Sequence, residues 1–391
     1  MAAGPLDGVL VADFSRVLAG PYATMLLGDL GAEVVKVERP EVGDDTRSWG
    51  PPWHGEQSTY FASVNRNKRS VAIDLADPEG RRRARALAER ADVVVENFKP
   101  GSFDRMGLGY DTLRLANPGL VYCAISGFGT AGGAELPGYD LLVQAVGGLM
   151  SITGSSPDEP VKVGVALVDV LTGLHATVGI MAALHERQRS GAGQRVDVNL
   201  LSSLLSGMVN QSAGYVGAGF VPQIMGNRHP SIAPYESYPT ADRPMVIAVG
   251  NDRQFRACAA ALGRPEWADD PRFASNPARV EHRRELYDAM CSELRTKGAE
   301  EWFTVLTAAG VPSGPIHDIA GAFALAERLG LEPVADGAGE PTVANPITFS
   351  RTPASYRYRP PALGNASLSE DGALLDEAGG APDETVAGAR S

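Results

Sequence analysis

Five short apolar runs separated by helical patterns fill the first third of the chain and restrict its fold more than any other feature. They cover residues 9–14, 32–38, 70–75, 92–98 and 120–128. Strands that are apolar throughout indicate a sheet buried on both faces, and helices between them indicate parallel pairing. The pattern predicts an α/β fold built on a doubly wound parallel sheet.

Helix signals lie between these strands. Residues 22–30 have a helical pattern, and Asp77 followed by Pro78 predicts an N-cap and first turn of a helix that runs to Arg90. From residue 139 to 215 the pattern is helical apart from a strand-like stretch at 195–199. This part of the chain is therefore predicted to extend the same α/β domain.

A stretch rich in Gly and Pro, residues 217–234, breaks the helical period. Beyond it we predict a strand at 245–249 and helices at 276–294 and 299–309. The predicted organisation is a large α/β domain over 1–200, a linker over 201–224, a smaller α+β domain over 225–330, and a linker with a C-terminal return to the large domain over 331–391. The polar tail from Gly364 is expected to fray at its end.

Composition narrows the function classes. The 391 residues are 44% apolar and carry a formal charge of −12, which indicates a folded protein without a footprint for nucleic acid or an acidic membrane. Cys123, Cys258 and Cys291 are odd in number and widely spaced, as reduced thiols are. The N-terminus lacks the charged and apolar regions of a signal peptide. We expect a cytoplasmic protein.

One segment, residues 163–184, approaches the length of a membrane span. It contains Asp169, Thr172 and His175, and an Asp at the centre of a bilayer costs about 2.5–3.5 kcal/mol. The segment is predicted to be a buried helix, not a membrane span.

Asp169 is the most unusual residue of that segment, because an isolated carboxylate among apolar residues is costly unless it is satisfied or used. It could be a helix N-cap, or a carboxylate oriented as a nucleophile or base at a helix start. The pattern by itself leaves both open.

Positive residues gather near predicted strand ends, where doubly wound sheets bind anions. They are Arg39, the run NRNKR at residues 65–69, and Arg105, although any one of them could be ordinary solvated charge. No dinucleotide or P-loop glycine motif, HExxH pair or GxSxG motif occurs. His175 is interpreted as a core or interface histidine, whereas His229 could face a cleft.

These segments together resemble the class III CoA-transferases, the formyl-CoA transferase or carnitine CoA-transferase-like (CaiB/BaiF-like) family, which also includes 2-methylacyl-CoA racemases. The matching phrases include PLDGVLVADFSRVLAGPYATMLLGDLGAEVVKVERPEVGDDTR, NRNKRSVAIDL, ADVVVENFKPGSFDRMGLGYDTL, DVLTGLHATVGIMAAL and GNRHPSIAPYESYPTADRPMVIAVGND. The likeness keeps its order over roughly residues 4–350.

The resemblance assigns roles to individual residues. It implies that Asp169 is the nucleophile and that His229 is a substrate-side candidate. The implied CoA-binding residues are Arg16, Val17, Leu18, Ala19, Arg39, Ile73, Asp74, Leu75, Ala76, Asn97, Phe98, Arg105 and Tyr139. Pro137 replaces a lysine near the nucleotide, and GNRHPSIAPYE replaces the glycine-run loop of formyl-CoA transferases, which argues against oxalate and formate as substrates.

The implied reaction moves CoA from an acyl-CoA, with succinyl-CoA a plausible donor, to a free carboxylic acid. It proceeds through an aspartyl anhydride and an aspartyl-CoA thioester, with developing charge stabilised by N–H groups at the helix start and in Gly-rich turns. CoA is a substrate, and neither a tightly bound cofactor nor a metal is expected. The resemblance also implies an interlocked-ring homodimer.

Two alternative functions are also compatible with this resemblance. One is a 2-methylacyl-CoA racemase, which needs a second acid–base group where this chain has Tyr139 in place of histidine. The other is a protein that binds acyl-CoA without turnover. Tyrosine has an unperturbed pKa near 10, so it is a poor base at neutral pH, and the transferase is the favoured prediction.

Overall fold

The computed structural model describes residues 4–375 and divides into two compact units. Unit 1 comprises Met1–Gly147, Val163–Ala218 and Glu332–Ser391, and unit 2 comprises Gly148–Lys162 and Gly219–Leu331.

The strands of the described residues are short and lie in both units. In chain order they are β1 (Leu10–Asp13), β2 (Glu33–Glu38), β3 (Trp53–His54), β4 (Gln57–Ser58), β5 (Lys68–Ala72), β6 (Val93–Glu96), β7 (Val121–Ser126), β8 (Arg195–Asn199), β9 (Tyr235–Tyr238), β10 (Met245–Ala248), β11 (Ser313–Pro315), β12 (Val334–Asp336), β13 (Pro341–Val343), β14 (Ser367–Leu368) and β15 (Leu374–Leu375).

The helices are mostly between one and three turns long. In chain order they are α1 (Ala19–Asp29), α2 (Thr59–Ser63), α3 (Pro78–Arg90), α4 (Ser102–Arg105), α5 (Tyr110–Ala116), α6 (Asp140–Val146), α7 (Leu167–Ser190), α8 (Leu200–Gly207), α9 (Val209–Ala218), α10 (Asp252–Ala261), α11 (Asn276–Glu281), α12 (Arg283–Leu294), α13 (Ala299–Ala308) and α14 (Ile319–Arg328).

Unit 1 is built on a parallel sheet of six strands in the order β5-β2-β1-β6-β7-β8. Counted along the chain, this is the order 3-2-1-4-5-6 of a doubly wound sheet, as the sequence predicts. Its direction of progression reverses between β1 and β6. In such sheets, the carboxyl ends of the strands on either side of the reversal form the usual ligand-binding crevice.

Helices cover both faces of this sheet. Leu87 of α3 and Leu113 of α5 belong to a buried cluster with Val35 and Val94. The other face carries α1 and α7, which approach the sheet through glycines: a Cβ on Gly28 would lie 3.5 Å from the Val34 side chain. Burial of alternate strand residues on two helical layers explains why the strands are apolar throughout.

Helix α7 is the one helix in the described ranges long and apolar enough, by length and composition, to cross a membrane, a test that core helices of soluble proteins also pass. One side is buried, with Val168, Ala176 and Ile180 fully enclosed. Leu174 and Val178 are 41% and 66% exposed. The predicted buried helix is thus covered on one side within this chain.

Unit 2 contains an antiparallel sheet in the order β11-β10-β9. Helices α10, α12 and α13 bury Phe255, Met290 and Trp302 against it. The single helix predicted over 276–294 is interrupted at His282, which separates α11 from α12. The unit has the α+β composition expected from the sequence.

The unit limits differ from the predicted domain limits in two places. Most of the predicted linker 201–224 is helical, because Asn199 caps α8 by accepting from the Ser202 N–H (2.8 Å), and α9 follows. Residues 148–162 group with unit 2, although no break in the sequence pattern marks them.

The C-terminal tail is predicted to return to the large domain and to fray at its end, and its described residues, 364–375, belong to unit 1. Ala366 and Leu368 are buried in the unit 1 core, and the Ala366 N–H donates to the Ser70 carbonyl (3.0 Å). The rest of the predicted tail, residues 376–391, lies outside the described residues.

Candidate active site

Most of the predicted CoA-binding residues follow the carboxyl ends of four neighbouring strands of unit 1. Arg16, Val17, Leu18 and Ala19 follow β1, Arg39 follows β2, Ile73, Asp74, Leu75 and Ala76 follow β5, and Asn97 and Phe98 follow β6. Parallel strands in adjacent positions bring these turns to one edge of the sheet.

Arg16 connects three of these residues: Asn97 and Phe98 across the reversal between β1 and β6, and Arg39 through Asp45. The Arg16 N–H donates to Asn97 Oδ1 (2.9 Å), and Asn97 Nδ2 donates to the Arg16 carbonyl (2.8 Å). The Arg16 guanidinium lies 5.3 Å from the Phe98 ring centroid. Asp45 accepts hydrogen bonds from both Arg16 (3.4 Å) and Arg39 (2.6 Å).

The remaining predicted residues of unit 1 occupy separate positions. Ile73 is buried, and its N–H donates to the Glu38 carbonyl (2.8 Å). Arg105 is exposed at the end of α4 and donates to the Ser102 hydroxyl (2.9 Å). Tyr139 is the N-cap residue of α6 and is 63% exposed.

His229 belongs to unit 2. Its ring packs on Tyr235 with a centroid distance of 5.1 Å, and its Nδ1 accepts from the Ser231 N–H (3.1 Å).

Asp169 is the third residue of α7, so its interpretation as the N-cap is wrong. The N-cap position belongs to Ala166, which has no capping side chain. Asp140 supplies the missing acceptor from the start of α6: its Oδ1 accepts from the N–H groups of Val168 (2.8 Å) and Asp169 (3.2 Å). Asp140, 29 positions before Asp169, therefore caps the helix, and the Asp169 carboxylate is not needed as a cap.

Gln144 fixes the orientation of Asp140. Its Nε2 donates to Asp140 Oδ2 (2.6 Å) while its Oε1 accepts from the Val163 N–H (2.9 Å). Gln144 is fully buried, so this arrangement is held inside the protein.

The N–H groups at the start of α7 are all engaged. Those of Val168 and Asp169 donate to Asp140, that of Leu167 donates to the Val165 carbonyl (2.8 Å), and that of Val170 donates to the Ala166 carbonyl (3.1 Å). These helix-start N–H groups are therefore not free to stabilise developing charge, because Asp140 and two backbone carbonyls already accept from them. The same role for N–H groups of Gly-rich turns stays a prediction.

The electrostatics of Asp169 favour its protonated form unusually strongly for an aspartate. Burial, followed by repulsion from the Asp140 carboxylate, raises the pKa of Asp169 to about 7. Near neutral pH the side chain is poised between acid and carboxylate, which is typical of a functional site.

Tyr60 of α2 is near enough to both carboxylates for their charges to act on it, and it was not predicted from the sequence. Burial, then the charges of Asp169, Asp140 and Asp44, raise the pKa of Tyr60 to about 12. Its ring meets Trp49 edge-on at 5.1 Å. The phenol therefore stays protonated and can donate a hydrogen bond. No spacing signal connects Tyr60 or Asp140 with Asp169, since Tyr60 lies in α2 and Asp140 begins α6.

A network of buried charges lies beneath the turn after β1. Lys36 donates to Asp44 (3.0 Å) and to the Ser15 carbonyl (2.9 Å), and Lys68 donates to Asp13 (3.0 Å). Burial opposes ionisation of Asp13, but Lys68, Lys36 and two hydroxyl donors outweigh it and lower the pKa of Asp13 to about 2. The network thus consists of buried lysines, each paired with a buried aspartate of opposite charge.

A cavity of about 1560 Å³ opens in unit 1 and is lined by Arg47, Phe61 and Tyr358 among others. Lys68 and Arg69 of the NRNKR run line it, but none of the predicted CoA-binding residues does. Within residues 4–375, no group of three or more His, Cys, Asp or Glu side chains is arranged to hold a metal ion.

Comparison with known proteins agrees with this geometry. Residues 6–367 match CoA-transferase family III. The chain is 44% identical over 373 residues to a succinate–glutarate CoA-transferase of Agrobacterium fabrum, which covers 92% of this chain and 93% of that protein. It is 41% identical to the human succinyl-CoA:glutarate CoA-transferase, covering 92% of this chain and 84% of the human one.

The fold is also similar to a solved structure. A CaiB/BaiF family protein from Brucella suis superposes with a TM-score of 0.84 at 42% identity, covering 93% of this chain and 97% of that one. These likenesses extend over both the sheet and the turns that carry the site. The chain therefore belongs to CoA-transferase family III and is an enzyme that transfers CoA from an acyl-CoA to a carboxylic acid.

Proposed function

We propose that this enzyme moves CoA from succinyl-CoA to a second dicarboxylic acid such as glutarate, with Asp169 as the covalent nucleophile. The assignment of the nucleophile rests on one observation: the Asp169 carboxylate lies in the first turn of α7 and does not cap the helix, because Asp140 does. The names of the two similar transferases support the choice of acids.

The first half of the reaction forms a mixed anhydride. An Asp169 carboxylate oxygen attacks the thioester carbonyl carbon, the carbon–sulfur bond breaks, and CoA leaves as the thiolate. The thiolate then attacks the aspartyl carbonyl carbon, which releases the donor acid as its carboxylate and leaves an aspartyl-CoA thioester. No net proton is consumed in either step.

The second half repeats these steps with the acceptor. Its carboxylate attacks the aspartyl thioester, the thiolate leaves and then attacks the acceptor carbonyl of the new anhydride, and Asp169 departs as a carboxylate. Thioester and anhydride are close in reactivity, so positioning of the groups and exclusion of water are the main tasks of the protein.

Tyr60 is the proposed donor to the oxygen that gains charge in these steps. Its raised pKa of about 12 keeps the phenol protonated over the working pH range. A neutral donor held near Asp169 can hydrogen-bond a developing oxyanion more strongly than the ground-state carbonyl. It takes the role that the sequence had assigned to N–H groups of the helix start.

The racemase alternative requires a second acid–base group that can reach the opposite face of the α-carbon. Tyr139 occupies the position where a racemase has histidine. His175 lies six residues after Asp169 on α7, or roughly 9 Å along the helix axis. Neither residue is well suited to return a proton, so the transferase remains the proposal.

The test is a panel of acids offered to the enzyme with succinyl-CoA or acetyl-CoA in D₂O, with products weighed by mass spectrometry. We expect glutaryl-CoA from succinyl-CoA and glutarate, and little product with oxalate or formate. A 2-methylacyl-CoA incubated without acid should keep its α-proton. Rapid deuterium uptake there, without CoA transfer, would establish the racemase instead.

We further propose that the enzyme is a homodimer of interlocked rings. Apolar side chains of α7, α8 and α9 are exposed in the single chain: Leu174, Val178, Leu205, Val209 and Val216. Burial of such a surface against a second copy is favourable at about 25 cal/mol per Å². Light scattering at micromolar concentration should give the dimer mass, and a stable monomer would contradict the proposal.

A further inference from the structure

We propose that Asn97 and Asp44 are positioning residues, which hold the turn formed by Arg16 and Val17 in the shape that binds the CoA thioester. This inference rests on the proposed acyl-CoA site. The resemblance assigned Asn97 to CoA contact, and it did not assign a role to Asp44.

The backbone of this turn is strained at Val17. Val17 has a φ of +70°, in the left-handed region that a β-branched residue rarely adopts. Such strain persists only when the surroundings impose it, and it occurs preferentially at ligand sites. Ala19, two residues later, begins α1.

Asn97 holds the first residue of the turn. Its amide group bonds both polar atoms of the Arg16 backbone, donating to the carbonyl (2.8 Å) and accepting from the N–H (2.9 Å). Asn97 lies after β6 and Arg16 lies after β1, so this pair of bonds spans the reversal point of the sheet. The amide is occupied by protein, which points to positioning instead of direct ligand contact.

Asp44 holds the second residue. Its two carboxylate oxygens lie 3.3 and 3.2 Å from the Val17 nitrogen, whose N–H donates to them. Asp44 is buried and is itself fixed by Lys36 (3.0 Å) and by the N–H of Thr46 (3.0 Å). Burial opposes the charge, but Lys36 and Thr46 outweigh it and keep the pKa of Asp44 below its usual range, so the acceptor remains ionised.

The turn is also connected to the helix that carries the nucleophile. A Cβ on Gly173 of α7 would lie only 2.7 Å from the Ala19 carbonyl oxygen, so the start of α1 packs directly on α7 one turn beyond Asp169. A displaced turn would therefore shift the thioester site and the surface of α7 relative to each other.

The experiment measures binding and turnover separately. Free CoA is titrated by calorimetry into wild type, Asn97→Ala and Asn97→Asp, and steady-state kinetics are run with succinyl-CoA and glutarate. We expect Asn97→Ala to raise the Kd for CoA and the KM for succinyl-CoA at least about tenfold, with a smaller change in the KM for glutarate. Asn97→Asp keeps the acceptor for the Arg16 N–H and should show a smaller effect.

A second background separates positioning from direct contact. Glycine adopts a φ of +70° without strain. In Val17→Gly the turn should therefore keep its shape with less help from the Asn97 hydrogen bonds. The effect of Asn97→Ala on CoA affinity should therefore shrink in the Val17→Gly protein. An equal effect in both backgrounds would mean that Asn97 contacts CoA itself, and it would overturn the inference.

The matched control is Asp29→Asn, a buried carboxylate paired with Arg66 (2.7 Å) and outside the turn. It should lower the melting temperature without changing CoA affinity. CoA affinity within twofold of wild type for folded Asn97→Ala and for Asp44→Asn would overturn this inference alone. A wild-type enzyme that neither bound CoA nor transferred it would overturn the proposed function, and this inference with it.

Discussion

Two sets of carboxylates in unit 1 respond to burial in opposite ways. Asp13 is fully enclosed, yet Lys68 and Lys36 keep it ionised and lower its pKa to about 2. Asp169 has Asp140 as its charged neighbour, and burial with that repulsion raises its pKa to about 7. Enclosure alone does not set the charge of a carboxylate. The sign of the neighbouring charge decides it.

The two environments suit two roles, because paired carboxylates stabilise the fold whereas an unpaired one can react. Beneath the turn after β1, Lys36 of β2 and Lys68 of β5 form fixed ion pairs with buried aspartates. At the start of α7, a carboxylate lacking a paired cation is held at higher free energy when ionised, and it gains by forming a covalent acyl bond that removes the charge. The comparison predicts opposite responses to neutral substitutions at Asp169 and Asp13.

The largest expected effect is on turnover in Asp169→Asn. Loss of the nucleophile should reduce CoA transfer at least about 10³-fold, and treatment with succinyl-CoA followed by hydroxylamine should no longer modify this position. Because the ionised carboxylate costs stability, the melting temperature at pH 8 should not fall. Mass spectrometry of peptides and thermal denaturation check the two outcomes.

Asp197→Asn is the control for that variant. Asp197 is an exposed carboxylate paired with Arg195 (3.0 Å), so its loss should leave turnover and labelling of Asp169 unchanged. Full turnover by Asp169→Ala would remove the nucleophile from the proposal and, with it, the chemical half of the comparison.

The next effect is on stability in Asp13→Asn. The change leaves Lys68 buried without its anion, which should lower the free energy of unfolding by about 3–5 kcal/mol. In wild type, the folded pKa of Asp13 lies below its unfolded value of 3.8, so its contribution is present above pH 4 and is lost as pH falls towards 2. Urea denaturation at several pH values measures both.

A double variant sharpens this result. Asp13→Asn with Lys68→Met removes both charges, so the double variant should be more stable than Asp13→Asn by itself. If Asp13→Asn were as stable as wild type, the two regions would not differ in the way proposed.

The smallest expected effect is a shift of pH dependence in Asp140→Asn. In wild type, kcat/KM for succinyl-CoA should rise as pH increases through about 7, because Asp169 must be ionised to attack. Removing the Asp140 charge should move that rise to lower pH by about one unit or less, since burial remains the larger cause. A profile that stayed in place would show that Asp140 acts on Asp169 only through the helix N–H groups.

Much of unit 1 could be predicted from local signals. Asp77 caps α3 by accepting from the Gly80 N–H (2.9 Å), and α3 runs from Pro78 to Arg90 as its sequence indicates. The apolar strands also lie within one or two residues of their predicted limits, apart from β5, which is predicted over 70–75 and ends three residues earlier, at Ala72. The strand begins at Lys68, a polar residue buried in the charge network, so a hydropathy pattern places the strand too late.

The site was predictable only where its residues carry their own signal. Asp169 stands out because it is isolated among apolar residues. Asp140 and Tyr60 do not, since they approach Asp169 through the packing of separate elements. Capping stays open for Asp169 at the sequence level for the same reason: a carboxylate at a helix start usually caps its own helix, and nothing local shows that another residue has taken the position.

The contact of residues 365–368 with β5 has a consequence for synthesis of the chain. The Ser70 N–H donates to Asn365 Oδ1 (2.8 Å), and the Ala366 N–H donates to the Ser70 carbonyl, so the β5 edge is covered by residues that lie 295 or more positions later in the chain. At 5–20 residues per second, roughly 15–60 s separate translation of the edge from translation of its cover. A nascent chain carries an open sheet edge for that interval, and it is the stage at which pairing with other chains, and capture by chaperones, should be most frequent.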